Sequence, residues 1–228
     1  MGKFFKYHIM KIQEFFEKGY YINLDRRKDR YNYITNVLNE INLLEFCERV
    51  PGVDGIQEPD PIKKQHYCSA SHQKVYNLAK EQNFNNIVVF EDDFTIFKDS
   101  TNNGLTNIEN SLDQLKNISD WDLIYFGGYI FDKEIKRISE NLLKVDTILA
   151  LHGYGISKSG MEKLSLQTPF EDCQLDGWIG QRKYINKYVV YPFSTYQLEN
   201  PSDLDASGNT PDMMHWKRLF ITEDKVII

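Results

Sequence analysis

The sequence predicts an α/β fold in which helices cover a mostly parallel sheet, and three observations support that prediction. Short apolar runs suited to strands alternate with segments whose apolar residues recur at helical spacing. Residues 87–90 are wholly apolar, which is typical of a strand buried on both faces of a sheet. Residues 121–126 form a similar run that ends at the pair Gly127-Gly128. Alternation of this kind favours helices layered on a parallel sheet.

The first elements follow in order near the amino terminus. Residues 20–24 are a short strand candidate, and Asp25 is placed to cap the helix after it. Residues 46–50 are the second strand candidate, because the turn-forming pair Pro51-Gly52 follows them. The helix between the two strands is predicted from an apolar stripe at helical spacing, namely Tyr31, Ile34, Leu38 and Ile41.

A loop and a further helix are predicted before the buried strand. Residues 56–68 are rich in proline and polar groups, which favours a loop. Ser69 or Ser71 can cap a helix that runs to about Gln82. On this interpretation His72 lies at the start of the helix, where exposed backbone N–H groups attract anions.

Later elements are predicted from shorter signals. Residues 147–151 and 188–191 are strand candidates, and Ser159 with Glu162 forms a capping box for a helix. The polar residues 100–120 predict a helix flanked by loop, and the last 30 residues predict irregular structure.

Length and composition indicate one globular unit. The chain has 228 residues, of which 41% are hydrophobic and 26% charged, so a core can form, and we predict a single domain over residues 19–228. The formal net charge of −6 argues against a nucleic-acid partner bound through the overall field. Three cysteines without a CxxC pair argue against a disulfide framework or a zinc site and favour a reducing compartment.

Residues 1–18 interleave lysines with apolar side chains, which predicts a basic amphipathic helix. One interpretation gives this helix a peripheral membrane contact or a homo-oligomer contact, and the other packs it on its own domain. The lysines interrupt the apolar stretch that a signal peptide needs. No apolar run reaches the roughly 18 residues of a transmembrane helix. The expected location is therefore cytoplasmic or intracellular, with membrane-peripheral placement as an option.

Three consecutive acids, Glu91-Asp92-Asp93, follow directly on the apolar run at residues 87–90. Adjacent carboxylates at the end of a buried strand repel one another and resist burial. A divalent cation removes the conflict, since Mg²⁺ or Mn²⁺ binds through carboxylates and substrate phosphates. Ligands also bind at the carboxyl ends of strands in open α/β sheets. The triplet therefore predicts a Mn²⁺ or Mg²⁺ site, against the alternative of a solvated acidic turn.

Several sequence blocks occur in a fixed order along most of the chain. They are Tyr21 to Arg30, Arg49 to Gly55, Cys68 to His72, Val88 to Asp93, Trp121 to Tyr125, Gly153 to Ser157 with Gly160, Leu175-Asp176 and Ser202-Asp203. Together they resemble glycosyltransferase family 25, which contains bacterial lipopolysaccharide glycosyltransferases and procollagen galactosyltransferases. The resemblance covers about residues 19–207. Ala70 stands where the family has a bulkier residue, and the chain is too short for the extra domains of the larger members.

The resemblance implies a GT-A-type, Rossmann-like fold, a nucleoside-diphosphate sugar as donor, and inversion at the anomeric carbon. Within the triplet it implies that Glu91 and Asp93 are the metal ligands, and it assigns Asp92 to the ribose or the donor sugar. Asn23 and Leu24, at the end of the first strand, are expected beside the nucleotide.

Other donor-side candidates each have a structural alternative. Arg27 and Arg30 are assigned to the diphosphate or the uracil edge, or else to a solvated helix face that pairs with acids such as Asp29. His72 contacts the donor, or it only caps and packs. Gly127-Gly128 lets backbone approach the donor sugar, or it forms a plain turn.

Inversion by direct displacement needs a base that takes the proton of the acceptor hydroxyl, which is worth roughly 10²–10⁴-fold in rate. Asp176 is the candidate, because it matches a family acid and stands near Trp178, a ring suited to stacking on a sugar. Glu171 and Asp172 are alternatives, and Asp176 could instead be an acid at a helix start. His152 is a candidate third metal ligand or part of the acceptor floor, although a lone histidine is more often structural.

These inferences predict a hexosyltransferase that moves galactose or glucose from a UDP-sugar to a hydroxyl of a glycan, or of hydroxylysine in a collagen-like protein. Two other classes stay open. A nucleotidyltransferase also uses strand-end acids with a metal, but it normally carries a glycine-rich basic phosphate loop, and none is evident. A non-catalytic nucleotide-sugar-binding domain would keep the fold, and the intact acidic triplet argues against it.

Overall fold

A nine-stranded sheet forms the centre of the computed structural model, which describes residues 10–98, 103–198 and 226–227. The helices in these ranges are α1 (Ile12–Phe15), α2 (Lys28–Glu40), α3 (Pro61–Glu81), α4 (Gly104–Leu115), α5 (Lys158–Leu164) and α6 (Leu175–Gly180). From one edge to the other, the sheet contains β2 (Cys47–Pro51), β1 (Lys18–Asn23), β3 (Asn86–Glu91), β10 (Gly153–Ser157), β5 (Leu123–Tyr125), β11 (Lys187–Val190), β8 (Leu142–Val145), β7 (Ile135–Arg137) and β13 (Val226–Ile227). Two ribbons lie outside it, β4 (Phe94–Ile96) with β12 (Thr195–Gln197) and β6 (Tyr129–Ile130) with β9 (Ile148–Leu149).

Seven of the nine strands in this sheet point the same way, and β10 and β8 oppose them. The predicted α/β class, with a mostly parallel sheet flanked by helices, is therefore confirmed. Parallel pairing of β1 with β2 and β3 brings their carboxyl ends together. In this register Ile22 faces Glu91, and Asn23 faces Pro51. The polar groups that follow these strands are thereby gathered at one edge of the sheet.

Strand β3 is buried on both faces, as its composition predicted. Ile87 and Val89 join the core that contains residues of α3 and α5, whereas Val88 and Phe90 join the core that contains residues of α1, α2 and α4. The split follows from the alternation of side chains along a strand. Burial of each such side chain contributes roughly 1.5–3 kcal/mol, so β3 is anchored firmly before it reaches the acidic triplet.

Helix α3 begins earlier than the sequence predicted. It opens at Pro61, whose missing N–H is harmless in the first turn, rather than at Ser69 or Ser71. The hydroxyls of both serines donate to carbonyls one turn back, so they are helix-interior residues. The loop predicted over residues 56–68 was therefore wrong beyond residue 60, and His72 lies inside α3 rather than at its start.

Two other helices begin at residues that the sequence analysis did not choose. α2 begins one residue after Arg27, so Asp25 does not cap it. α5 begins after Ser157, whose hydroxyl accepts a hydrogen bond from the Gly160 N–H at 3.1 Å, and not at the capping box predicted from Ser159. In α5 the serine at the end of β10 already supplies the capping oxygen.

Strand β10 was not predicted, because two of its five residues are glycines and its sequence therefore lacks a strand pattern. Glycine weakens strands in general, and here it permits close packing. A Cβ on Gly155 would overlap the Phe16 ring, and one on Gly153 would lie 2.6 Å from Phe94. The strand predicted over residues 147–151 forms only as β9, outside the main sheet.

The amino-terminal segment is described only from residue 10. There α1 has four residues, and the side chains of Ile12 and Phe16 are buried in the core. The first half of the amphipathic helix predicted over residues 1–18 lies outside the described residues, as does the predicted irregular tail after residue 198 apart from β13. None of the helices in the described ranges is both long and apolar enough to span a bilayer.

Replacing Gly155 by alanine is expected to destabilise the fold by about 1–3 kcal/mol, measured by urea unfolding. The added methyl would overlap the buried Phe16 ring and lie 2.9 Å from Ile124 Cγ2, so the packing on that face must shift. Gly177→Ala is the matched control, because the nearest atom to its new Cβ lies 3.6 Å away on Gln174 and alanine favours a helix. A G155A protein as stable as the native chain would contradict this account of β10.

Candidate active site

A cleft of about 550 Å³ opens at the carboxyl ends of β1 and β3. Residues of α3 line it, as do the first residues of α6 and the segment at residues 149–151. Eight of the residues singled out from the sequence lie in its lining: Asn23, Leu24, Arg30, His72, Glu91, Asp92, Asp93 and Asp176. The structure thus brings together the acidic triplet, the end of the first strand and the candidate base.

Asp92 is held by the protein through both carboxylate oxygens. The Asn23 side-chain amide donates to its Oδ2 at 2.8 Å, and Arg30 Nη1 donates to its Oδ1 at 3.0 Å. Burial raises the pKa of Asp92, and the Arg30 charge acts against that rise. Asp92 is therefore oriented by its neighbours, which offset part of the cost of burying its charge.

Arg30 and Asn23 organise this part of the cleft. Arg30 is buried, and its guanidinium also lies 3.7 Å from Asp93 Oδ2. Asn23 donates to the Arg27 carbonyl at 3.1 Å and accepts from Arg49 Nε at 3.2 Å. Arg30 thus supplies positive charge inside the cleft and does not lie on a solvated helix face.

Glu91 is paired with a histidine from α3. His72 Nε2 lies 2.8 Å from Glu91 Oε1, and His72 Nδ1 lies 2.9 Å from the Tyr154 hydroxyl. Burial acts to raise the pKa of Glu91, but the hydrogen bond and charge of His72 outweigh it, so that pKa lies below its ordinary value. His72 contacts the triplet because α3 runs past the end of β3, and the sequence did not show this.

Asp93 is the least compensated of the three acids. Its Oδ1 is buried and has no hydrogen-bond partner among the residues that the structure describes, and its Oδ2 lies 3.4 Å from Gln197 Nε2. Burial, together with the negative charge of Glu91, raises the pKa of Asp93 to about 8. A cation at this oxygen would supply the missing partner, so Glu91 and Asp93 fit the predicted ion by the chemistry of their donors.

Asp176 lies in the first turn of α6 and lines the cleft. Its Oδ1 accepts from the Gly177 N–H at 2.7 Å and its Oδ2 from the Ala150 N–H at 3.2 Å. Ala150 has a positive φ of 78°, an uncommon conformation for alanine. Burial raises the pKa of Asp176. The carboxylate is therefore fixed in place, and it also holds the neighbouring segment in its unusual conformation.

Three other predicted residues lie away from the cleft lining. Arg27 is paired with Asp29 at 2.7 Å. Trp178 is buried in the core, and the Arg182 guanidinium lies 3.9 Å from the centroid of its ring. His152 is buried, and its Nε2 lies 2.9 Å from Thr195 Oγ1. Burial lowers the pKa of His152 to about 4, so its imidazole is neutral at pH 7. The donor, acceptor and metal roles assigned to these residues stay predictions.

Gly127 and Gly128 permit close contact between backbones. A Cβ on Gly127 would overlap the Thr195 carbonyl, and one on Gly128 would lie 2.5 Å from the Leu149 carbonyl oxygen. These contacts join β5 to the ends of the two ribbons. The predicted approach to a donor sugar stays a prediction.

The cleft also contains residues that the sequence analysis did not choose. Lys64 and Cys68 lie eight and four residues before His72 along α3, and both line the cleft. This spacing is visible in the sequence, but the mistaken start of α3 concealed it. Tyr129 and Gln197 reach the cleft from the two ribbons, and no sequence signal marks them.

Comparison with known proteins gives consistent results. Residues 62–176 match the model of glycosyltransferase family 25, described as an LPS biosynthesis protein family. The chain is 29% identical to a glycosyltransferase 25 family member of Aedes aegypti over 181 residues, which are 67% of this chain and 28% of that protein. It is 27% identical to procollagen galactosyltransferase 2 of Homo sapiens over 180 residues, 68% of this chain and 28% of that protein.

The matched region thus spans just over a quarter of the length of these relatives. Among solved structures, a UDP-glucose pyrophosphorylase complexed with UDP-glucose has a TM-score of 0.46 and 11% identity, covering 78% of this chain and 74% of that one. The family match carries more weight, because it includes α3, the acidic triplet and Asp176 within one continuous segment. Since that segment makes up half of the sequence, the chain belongs to glycosyltransferase family 25.

Proposed function

We propose that the cleft catalyses metal-dependent transfer of a hexose from a UDP-sugar to a hydroxyl acceptor, with inversion, on a GT-A-type fold. The observation that carries the proposal is the pair Glu91 and Asp93 at the end of β3, where Asp93 has a buried oxygen without a partner among the described residues. Family membership supports the reaction class. Galactose is the favoured sugar, because a relative of this chain is named procollagen galactosyltransferase 2.

Glu91 and Asp93 would hold Mn²⁺ or Mg²⁺. When bound, the ion offsets the charge that develops on the leaving diphosphate. Asp92 has a different task, since Asn23 and Arg30 already occupy its oxygens. It fixes Arg30 beside Asp93, and this keeps positive charge near the diphosphate.

Donor binding would use the end of β1 and one face of α3. Asn23 and Leu24 lie in the cleft lining where the nucleotide is expected. Lys64, one turn before Cys68 on α3, also lines the cleft, and it makes no side-chain ion pair with any described residue. An ammonium group at that place is suited to a phosphate.

Asp176 would act as the base. A base must lie within hydrogen-bond reach of the proton that it takes, and the carboxylate of Asp176 faces the same cleft as the triplet. Two backbone N–H groups hold it there. The pKa of Asp176 is raised above its ordinary value, and a carboxylate with a higher pKa is a stronger base. The acceptor is proposed to be a glycan, or hydroxylysine in a collagen-like protein.

Asp93→Asn is expected to abolish Mn²⁺-dependent release of UDP from UDP-galactose, with a loss of at least about 100-fold, because the ion contributes several kcal/mol to the transition state. The thermal midpoint should be unchanged or higher, since the variant removes a buried, poorly compensated carboxyl. Asp113→Asn is the matched control, as Asp113 is half-buried on α4, away from the cleft, and pairs with Lys116. Full UDP release by D93N, or a native rate unaffected by a chelator, would contradict the metal site.

Asp176→Asn is expected to lower kcat for UDP release by roughly 10²–10⁴-fold while UDP binding, measured by calorimetry with Mn²⁺, stays near native. The amide cannot accept the proton, but it keeps the size of the side chain. Asp172→Asn is the control, because that carboxylate accepts from the Thr168 N–H outside the cleft lining. Equal kcat in D176N and the native protein would remove Asp176 from the chemistry, and loss of UDP binding in D176N would assign it a positioning role.

A further inference from the structure

The face of α3 that lines the cleft places a sulfur and a nitrogen beside Glu91. Cys68 and His72 lie one turn apart on the helix. Cys68 Sγ is 3.9 Å from Glu91 Oε1, and His72 Nε2 is 2.8 Å from the same oxygen. The three ligand atoms all lie within 4.8 Å of one another. One ion with bonds of about 2.0–2.3 Å can reach all three after small side-chain movements.

A hydrogen bond at the second ring nitrogen fixes the orientation of His72. Its Nδ1 lies 2.9 Å from the Tyr154 hydroxyl, which in turn lies 2.6 Å from the Tyr76 hydroxyl. Both tyrosines are fully buried. Histidines that bind metals usually engage an oxygen through the second ring nitrogen, and this contact sets the ring orientation. The same arrangement here directs Nε2 toward Glu91 and Cys68.

The donor types identify the class of ion. A thiolate, an imidazole and one carboxylate suit a borderline-soft ion such as Zn²⁺ or Co²⁺, whereas Mg²⁺ and Mn²⁺ favour oxygen ligands. The sequence argued against a zinc site because its cysteines lack the paired spacing by which such sites are found. This cluster uses one cysteine with a histidine and a glutamate from distant positions, which that spacing does not reveal. All three residues line the cleft, which leaves a fourth coordination position facing it.

We propose that Cys68, His72 and Glu91 form a binding site for Zn²⁺ or a similar borderline-soft divalent cation, with an open position toward the cleft. On binding, the thiol proton of Cys68 passes to solvent, and His72 presents an unprotonated Nε2 to the cation while its Nδ1–H donates to the Tyr154 hydroxyl. The site shares Glu91 with the proposed Glu91–Asp93 site, so the two ions compete. Binding at this site does not depend on glycosyl transfer.

Co²⁺ serves as the probe, since Zn²⁺ itself has no visible spectrum. The full chain, freed of metal with a chelator and then dialysed, is expected to show a near-ultraviolet thiolate-to-cobalt charge-transfer band on addition of Co²⁺, and excess Zn²⁺ should remove it. Cys68→Ala should lose the band. Tyr154→Phe should keep it with about 10- to 100-fold weaker Zn²⁺ binding by calorimetry, because the hydroxyl behind His72 is gone. Circular dichroism of each variant checks folding.

Two controls separate this site from its surroundings. Cys173→Ala removes an exposed thiol outside the cleft lining and should leave the band unchanged. Asp93→Asn removes the proposed Mn²⁺ ligand and should also leave it unchanged. A native protein without the band, a band that survives in C68A, or a band lost in C173A or D93N would overturn the proposal. A native protein that releases no UDP would overturn the proposed transferase and leave the cobalt result intact.

Discussion

The crowding of three carboxylates at the end of a buried strand is the constraint on which the cleft depends. Two like charges about 4 Å apart repel by roughly 4 kcal/mol at the effective dielectric of a protein surface. The protein meets this cost residue by residue. His72 compensates Glu91, and Asn23 and Arg30 compensate Asp92. Asp93 has weaker compensation, with an arginine at 3.7 Å and an amide contact at 3.4 Å.

The sheet register and the two helix layers supply those partners. Because β1 lies parallel beside β3, the residue that follows Ile22 reaches the acid that follows Glu91. α2, whose apolar residues pack on one face of the sheet, carries Arg30, and α3, which packs on the other face, carries His72. The triplet is therefore compensated from both layers, and a shift of either helix by one residue would move its partner away from the acids. The fold and the charge balance of the site constrain each other.

Sequence reasoning predicted the features that depend on local pattern. The strand predicted from the apolar run of β3 and the helix predicted from the stripe of α2 were both confirmed, although Tyr31 of that stripe is exposed. The partners of the triplet were not predictable in that way, because Asn23 and Arg30 are 69 and 62 positions from Asp92. His72 was assigned to a helix start because two serines resemble caps, although their hydroxyls bond back into α3. β10 was missed because its glycines serve packing against Phe16 and Phe94, which no periodicity reveals.

The uneven compensation of the triplet links stability to function. A buried carboxyl without a full set of partners costs free energy in the folded state, and a cation that supplied the missing partner would recover part of that cost on binding. Asp92, with both carboxylate oxygens hydrogen-bonded, has little left to offer an ion, which is why the proposed ligands are Glu91 and Asp93. Glu91 stands between a hard oxygen neighbour, Asp93, and a softer pair, Cys68 and His72. The identity of an ion at Glu91 would then be decided by which neighbours complete its coordination, because oxygen donors select one class of cation and sulfur with nitrogen selects the other.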